Sequence, residues 1–167
     1  PIAAADAPPT YVSGKYASLV KKYLQRDGIR NVEILADPNQ VRIKAAQKML
    51  WASCMWLLCH AQTLPIKVMQ VHEDHELQLE ALVRELWPSF LRIADMKEEE
   101  STFRDAMQYL VDYSNSIPDA IPSVRLAIAE LSDRNGLFAA PGQELHRQLI
   151  EQVAGVEASG IFEQAEI

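Results

Sequence analysis

Apolar residues recur at the three-to-four-residue spacing of helices along most of the chain, and the alternation that marks strands is nearly absent. Only 6 of the 167 residues are glycine, which also favours helices. Proline and glycine divide the apolar pattern into segments. The sequence therefore predicts about six helices, near residues 13–26, 37–62, 76–94, 101–117, 122–135 and 141–154, with Pro88 kinking or breaking the third.

The second of these helices is predicted to lie at the centre of the fold. Asp37 and Pro38 mark its start, because a carboxylate accepts from the free amides of a first turn and proline fits the first helical position. In its second half, residues 49–59, Ser53 is the only polar residue. A helix that is apolar all round is a buried one. The predicted fold is therefore all-α: a single-domain bundle around one buried central helix.

The two ends of the chain are predicted to be less ordered than the bundle. Residues 1–12 form an extended, flexible arm rich in alanine and proline, and residues 155–167 form a loose, flexible tail that contains two glycines. The helical domain between them spans residues 13–154. Such arms can reach a neighbouring copy of the chain and be exchanged with it. Simple disordered termini are the alternative.

The charge is divided between the two halves of the chain. Residues 1–70 carry nine Lys/Arg against four Asp/Glu, a net charge of +5, whereas residues 71–167 carry seven against nineteen, a net charge of −12. The boundary follows the predicted buried helix, so the two charges should lie on opposite surfaces of one domain. A bipolar subunit can attract a copy of itself head to tail, which leads to rings or filaments. The sequence thus predicts a homo-oligomer.

The basic half also has the residue types that bind nucleic acid. Its cations lie near three tyrosines, and phosphates need cations while bases stack on aromatic rings. The candidate nucleic-acid-binding residues are Lys21, Lys22, Arg26, Arg42 and Lys48. An isoelectric point of about 5.1 argues against a high-affinity, freestanding binder. Weak phosphate contacts repeated over many copies, or an ordinary solvated basic face, are the two interpretations.

His72, His75 and Glu76 are the candidate metal ligands, because a spacing of i, i+3 and i+4 places three side chains on one face of a helix. The alternative is that the acids here stabilise a helix N-terminus. Cys54 and Cys59 point in different directions on a helix and are predicted to be buried thiols. The chain has no phosphate-binding glycine-rich loop and no nucleophile-elbow motif. We therefore expect no enzyme and no cofactor.

Together these features favour a non-enzymatic structural subunit that self-assembles through oppositely charged halves and exchanged terminal arms. It would be of the capsid or nucleocapsid type if its basic half forms a groove for nucleic acid. The first alternative is a soluble helical adaptor that binds a partner protein near residues 87–90, and the second is a metal-binding protein. No signal peptide or membrane-length apolar segment is visible, so we expect no membrane partner and a location in the cytoplasm or within an assembled particle.

Overall fold

A computed structural model of the chain describes residues 8–97 and 100–163. Within these residues the chain forms eight α-helices, one 3-10 helix and two short strands. The elements, in chain order, are β1 (Thr10–Val12), α1 (Ala17–Arg26), β2 (Val32–Ile34), α2 (Pro38–His60), α3 (Val68–Asp74), α4 (Glu76–Ala94), α5 (Glu100–Ser116), α6 (Val124–Ala129), α7 (Asn135–Phe138), α8 (Glu144–Ala154) and the 3-10 helix (Val156–Ile161). The predicted all-α, single-domain fold is confirmed, with a two-stranded parallel sheet added.

Helix α2 is the central element, as the sequence predicted. Asp37 caps its start by accepting a hydrogen bond from the amide of Asn39 (2.9 Å), and Pro38 is its first residue. Between residues 50 and 59 every side chain except that of Ala52 is buried. α2 packs against α3, α4, α5, α6 and α8, and its most extensive contact is with α4. Enclosure on all sides explains why the second half of α2 carries almost no polar residue.

A buried hydrogen-bond network joins α2 to the C-terminal helices. The Oδ1 atom of Asn135 accepts from the indole Nε1 of Trp56 (2.9 Å), and its Nδ2 lies 3.2 Å from the carbonyl oxygen of Ser53 and 3.0 Å from His146 Nε2. His146 Nδ1 in turn lies 3.1 Å from Gln143 Oε1. All of these side chains are buried. Since an amide donates to Nε2 and an amide oxygen faces Nδ1, the network assigns the imidazole proton to Nδ1.

A side chain from another helix caps the start of α8. The two carboxylate oxygens of Glu85, on α4, accept from the backbone amides of Leu145 (3.0 Å) and His146 (2.9 Å). These amides belong to the first turn, where a helix has no internal acceptors, and α8 has no side-chain cap of its own. Glu85 therefore fixes the position of α8, and with it His146, against α4.

The burial of His146 predicts a loss of stability at mildly acidic pH. Burial lowers the pKa of His146 from 6.5, its ordinary value, to about 3. The folded chain holds His146 as the neutral imidazole, whereas the unfolded chain takes up a proton there below pH 6.5. The stability of the fold is therefore not reduced by His146 above pH 6.5, and it decreases as the pH falls from 6.5 toward 3. At about pH 5 we expect the free energy of unfolding to be about 2 kcal/mol lower than at about pH 7.5. Urea unfolding at both pH values measures the difference, which should become much smaller in His146→Gln; a smaller part remains because burial also lowers the pKa of His72. An unchanged difference in His146→Gln would contradict the assignment.

The N-terminal residues form a β–α–β unit beside the bundle. β1 and β2 are parallel neighbours, with Thr10 opposite Val32 and Val12 opposite Ile34, and α1 connects them. β1 also contacts α2, which attaches the unit to the bundle. The strand β2 lies in the segment between the first two predicted helices. Two strands of three residues are too short to cover more than one side of α1.

Both predicted terminal segments contain regular structure in their described part. Residues 10–12 belong to β1 because their backbone pairs with β2. The prediction of a loose tail is corrected, because residues 156–161 form the 3-10 helix and Phe162 is buried, with its ring centroid 5.1 Å from that of His146. Burial of this aromatic ring holds the segment against α8. Residues 1–7 and 164–167 lie outside the described residues, so exchange of the terminal arms stays a prediction.

Two features differ from the sequence prediction, whereas α4 has the predicted bounds. Pro88 lies inside α4 rather than breaking it, between the buried Trp87 and Phe90, whose stacked rings are 4.8 Å apart. Helix α3 was not predicted, and His75 separates it from α4. Asn135 begins α7 rather than ending a long helix, because its side chain is turned into the core toward Trp56. The bundle therefore contains more and shorter helices than the six expected.

Candidate functional site

Helix α1 exposes an apolar face to solvent. Tyr16, Leu19, Val20 and Tyr23 are spaced i, i+3, i+4 and i+7, so they share one side of the helix, and they are 63, 49, 42 and 49% exposed. The residue of α1 that is buried is Ala17. We call the four exposed residues the α1 face. Its area is available for contact with another molecule.

Cations border the α1 face. Lys22 and Arg26 lie one turn apart on α1 beside it, and Lys15 precedes the helix with its Nζ atom 5.4 Å from the ring centroid of Tyr16. Arg26 pairs with Asp27 (3.1 Å), whereas Lys15 and Lys22 belong to none of the ion pairs that the described residues form. The α1 face thus combines apolar area with unpaired positive charge.

The surface at the junction of α3 and α4 is complementary in charge to the α1 face. Glu73, Asp74 and Glu76 are exposed there, and no ion pair between described residues includes them. They adjoin Leu77, which is 83% exposed and is the most exposed large apolar side chain in the described part of the chain. We call these four residues the acidic corner. It offers negative charge beside an apolar contact.

A groove runs between α2, α5 and the residues that lead into β1. One cavity of about 420 Å³ lies between α2 and α5 and is lined in part by Lys44, Gln47, Asp105 and Tyr109. Two smaller cavities of about 190 and 340 Å³ extend it along residues 8–11. Because Lys44 and Tyr109 line all three, the cavities form one surface, which we call the α2–α5 groove.

Aromatic rings and lysines line this groove together. The Nζ atom of Lys44 lies 5.2 Å from the ring centroid of Tyr109 and 5.9 Å from that of Tyr11. The ring centroid of Tyr113 lies 5.9 Å from that of Tyr109. Lys48 follows Lys44 by one helical turn and lines the adjoining cavity. Rings on which bases stack and cations that contact phosphates are the components of a single-strand binding groove.

Two tyrosines of the groove, Tyr109 and Tyr11, keep their protons at physiological pH. Burial raises the pKa of Tyr109, and the neighbouring Tyr113 and Tyr11 add to the shift. Burial also raises the pKa of Tyr11, with a further contribution from the charge of Glu33. Both phenols therefore stay neutral, so they can donate hydrogen bonds and do not repel a phosphate.

Gln47 is a buried amide in the wall of the groove whose oxygen has no hydrogen-bond partner among the described residues. The residue is only 7% exposed, and its Oε1 atom is inaccessible and unpaired. A buried acceptor without a partner costs about 1–3 kcal/mol. Gln47 lines the cavity of about 420 Å³, but its Oε1 atom is closed to a ligand there.

The structure does not bring the five predicted nucleic-acid-binding residues into one groove. Lys48 lines the α2–α5 groove, whereas Arg42, also on α2, pairs with Asp95 (2.9 Å). The other three, Lys21, Lys22 and Arg26, belong to α1. The predicted basic half is therefore divided between two surfaces.

Sequence reasoning missed Lys44, Tyr109 and Tyr113 as residues of one site. Lys44 lies on α2 and the two tyrosines lie on α5, and the contact between these helices carries no local signal. A partial signal was present: Tyr109 and Tyr113 are spaced i, i+4, as are Lys44 and Lys48. Each pair therefore lies on one face of its helix.

The candidate metal ligands do not share a helical face, which corrects the prediction. His75 lies between α3 and α4, and Glu76 begins the next helix. His72 is half-buried, with its Nε2 atom 3.0 Å from Ser114 Oγ, and burial lowers the pKa of His72. In the described part of the chain, no group of three His, Cys, Asp or Glu side chains is close enough to hold a metal.

Cys54 and Cys59 are buried free thiols, as predicted. Burial raises the pKa of Cys59 to about 12 and raises that of Cys54 further, so neither forms a thiolate at physiological pH. Thiols in this state pack as small apolar side chains rather than act as nucleophiles.

The surface predicted for an adaptor lies in the core. Trp87 and Phe90 are 6 and 1% exposed, and the ring of Phe103 contacts that of Trp87 edge-on at 5.0 Å. These residues are therefore closed to a partner protein.

Among the described helices, none has both the length and the apolar composition needed to cross a membrane.

Comparisons with known proteins find no relative of this chain. No protein-family model matches it, and no curated protein or solved structure is similar to it at a significant level. The function of the chain is therefore inferred from three of its surfaces: the α1 face, the acidic corner and the α2–α5 groove.

Proposed function

We propose that the chain is a non-enzymatic structural subunit that self-assembles head to tail. The observation that carries the proposal is the α1 face, where four large side chains are exposed together beside unpaired lysines. Single exposed apolar residues are ordinary, whereas a contiguous patch bordered by polar residues is typical of an interaction surface. Each Leu or Val that becomes fully buried contributes about 1.5–3 kcal/mol, so covering this patch supports a stable contact.

The acidic corner of a second copy fits the α1 face best. Lys15 and Lys22 would lie opposite Glu73 and Asp74, and the exposed Leu77 would meet the apolar stripe. The net charges of the two halves of the chain also support contact between the α1 face and the acidic corner, since residues 1–70 carry +5 and residues 71–167 carry −12. Because the two surfaces differ, each copy keeps one of each for the next copy. Such a heterologous contact produces rings or open filaments.

The proposed assembly is of the capsid or nucleocapsid type, and the α2–α5 groove supports this part of the proposal. The groove lies between α2, α5 and β1, apart from both the α1 face and the acidic corner. Copies joined through those two surfaces would each keep their groove. Many weak phosphate contacts, one set from each copy, then add along a strand. The subunit would act in the cytoplasm or within the particle that it forms.

The proposal predicts an assembly that grows at low salt and dissociates at high salt. Exposed opposite charges are screened over about 8 Å at physiological ionic strength and over about 3 Å at 1 M. Sedimentation velocity should therefore show large species at about 50 mM salt and mostly monomers at about 0.5 M. Absorbance at two ultraviolet wavelengths should be recorded on the same samples to detect nucleic acid that copurifies. A monomer that persists at low salt and high protein concentration would contradict the proposal.

A further inference from the structure

The α2–α5 groove has three properties of a ligand site that the α1 contact does not use. Its largest cavity, of about 420 Å³, lies within the range of about 300–1,000 Å³ that is usual for small-molecule sites. The cavity wall contains the exposed carboxylate of Asp105, a hydrogen-bond acceptor. Its mouth is bordered by the Lys44 ammonium group and the Tyr109 ring, 5.2 Å apart. We infer that this groove binds single-stranded nucleic acid, with one base in the cavity between α2 and α5 and the phosphates along Lys44 and Lys48.

The spacing of the two lysines favours a strand over one free nucleotide. Lys44 and Lys48 lie one turn apart on the same side of α2, and both line the cavity beside Tyr11 and Tyr109. Two cations in a row follow a backbone, whereas a single phosphate group needs several donors that converge on one point. Tyr109 and Tyr113 then provide successive rings for stacking.

The polar atoms of the cavity favour bases that carry an exocyclic amino group. The carboxylates of Asp105 and Asp112, which are exposed and line the cavity, are acceptors. Adenine and cytosine each present an amino group to such acceptors, whereas uracil does not. Asp105 and Asp112 would repel a phosphate in the cavity itself, which also places the base there and the backbone at the lysines.

The nucleic-acid strand would bind in the α2–α5 groove, whereas copies of the chain would meet at the α1 face. An experiment can therefore contradict one of the two proposals without contradicting the other. Neither Lys44 nor Asp105 lies on the α1 face or in the acidic corner. A variant that loses nucleic acid should keep the sedimentation profile of the unchanged protein. Every binding experiment below is therefore paired with a sedimentation run on the same sample.

Fluorescence anisotropy with labelled oligonucleotides of about ten nucleotides tests the inference at low salt. We expect oligo-A and oligo-C to bind more tightly than oligo-U. Lys44→Met should weaken binding of all three about ten-fold, and Asp105→Leu, which removes an acceptor of the cavity, should reduce the preference for oligo-A and oligo-C over oligo-U to less than about two-fold. The matched control is Arg42→Met on another side of the same helix, where the cation pairs with Asp95, and it should change binding less than about two-fold.

Four results would overturn the inference. One is no binding of any oligonucleotide by the unchanged protein. A second is an equal loss in Lys44→Met and Arg42→Met, which indicates attraction by overall charge. A third is Asp105→Leu, shown to be folded by circular dichroism, with an unaltered preference between bases. The last is adenosine monophosphate competing as well as oligo-A at equal molar concentration, which indicates a nucleotide site instead of a strand site.

Discussion

Reversing the charge of Lys15 and Lys22 is expected to abolish self-assembly. The double variant Lys15→Glu/Lys22→Glu places two anions beside the α1 face, opposite the anions of the acidic corner. Juxtaposed like charges cost several kcal/mol, so each contact should weaken by about 3 kcal/mol, or about a hundred-fold. At low salt, sedimentation velocity should show monomers at concentrations where the unchanged protein forms large species.

The matched control for this variant is Arg104→Glu/Arg125→Glu, which alters the net charge equally at two exposed positions away from the α1 face. It should assemble as the unchanged protein does. Folding of the α1 variant should be preserved, because glutamate before the first turn of α1 is favoured by the helix dipole and glutamate at position 22 is four residues from Arg26. Equal loss of assembly in both variants would mean that net charge, rather than the α1 face, controls association.

Replacing Asn135 with leucine is expected to lower the free energy of unfolding by about 3 kcal/mol or more. The side chain of Asn135 holds the indole N–H of Trp56, the carbonyl oxygen of Ser53 and the Nε2 atom of His146. Asn135→Leu keeps a side chain of similar size but leaves the indole N–H of Trp56 and the Nε2 atom of His146 buried without this partner. Each such group costs about 1–3 kcal/mol. Urea unfolding followed by tryptophan fluorescence measures the difference.

Asn115→Leu is the comparison for this prediction, because Asn115 is exposed on α5 and the substitution has the same chemistry. Its stability should change by less than about 0.5 kcal/mol. If Asn135→Leu also lost less than about 1 kcal/mol, the network around Asn135 would not be what joins α2 to α8.

The central helix could be predicted from the sequence because its signals are local. Asp37 and Pro38 determine where α2 begins, and the absence of polar residues around its second half indicates burial on every side. The predicted helix end at Asn135 was wrong because a tertiary contact overrode the local preference. The side chain of Asn135 is turned into the core and accepts from the indole of Trp56.

The candidate surfaces could be predicted only in part, because they depend on how elements lie next to one another. The apolar spacing in α1 was visible, but the sequence does not reveal that the two strands beside α1 cover only one of its sides. The α2–α5 groove depends on the approach of Tyr109 to Lys44, 65 positions apart in the chain. The opposite net charges of residues 1–70 and 71–167 indicated two surfaces of opposite charge. They did not show which residues form each surface.

Mixing two charge-reversed variants tests head-to-tail assembly most directly. Lys15→Glu/Lys22→Glu reverses the α1 face, and Glu73→Lys/Asp74→Lys reverses the acidic corner at the C-terminal end of α3, where cations are favoured. Each variant alone should sediment as a monomer at low salt. In an equimolar mixture both kinds of junction regain opposite charges, so large species should return. A mixture that remains monomeric, or a single variant that assembles alone, would contradict the proposed contact.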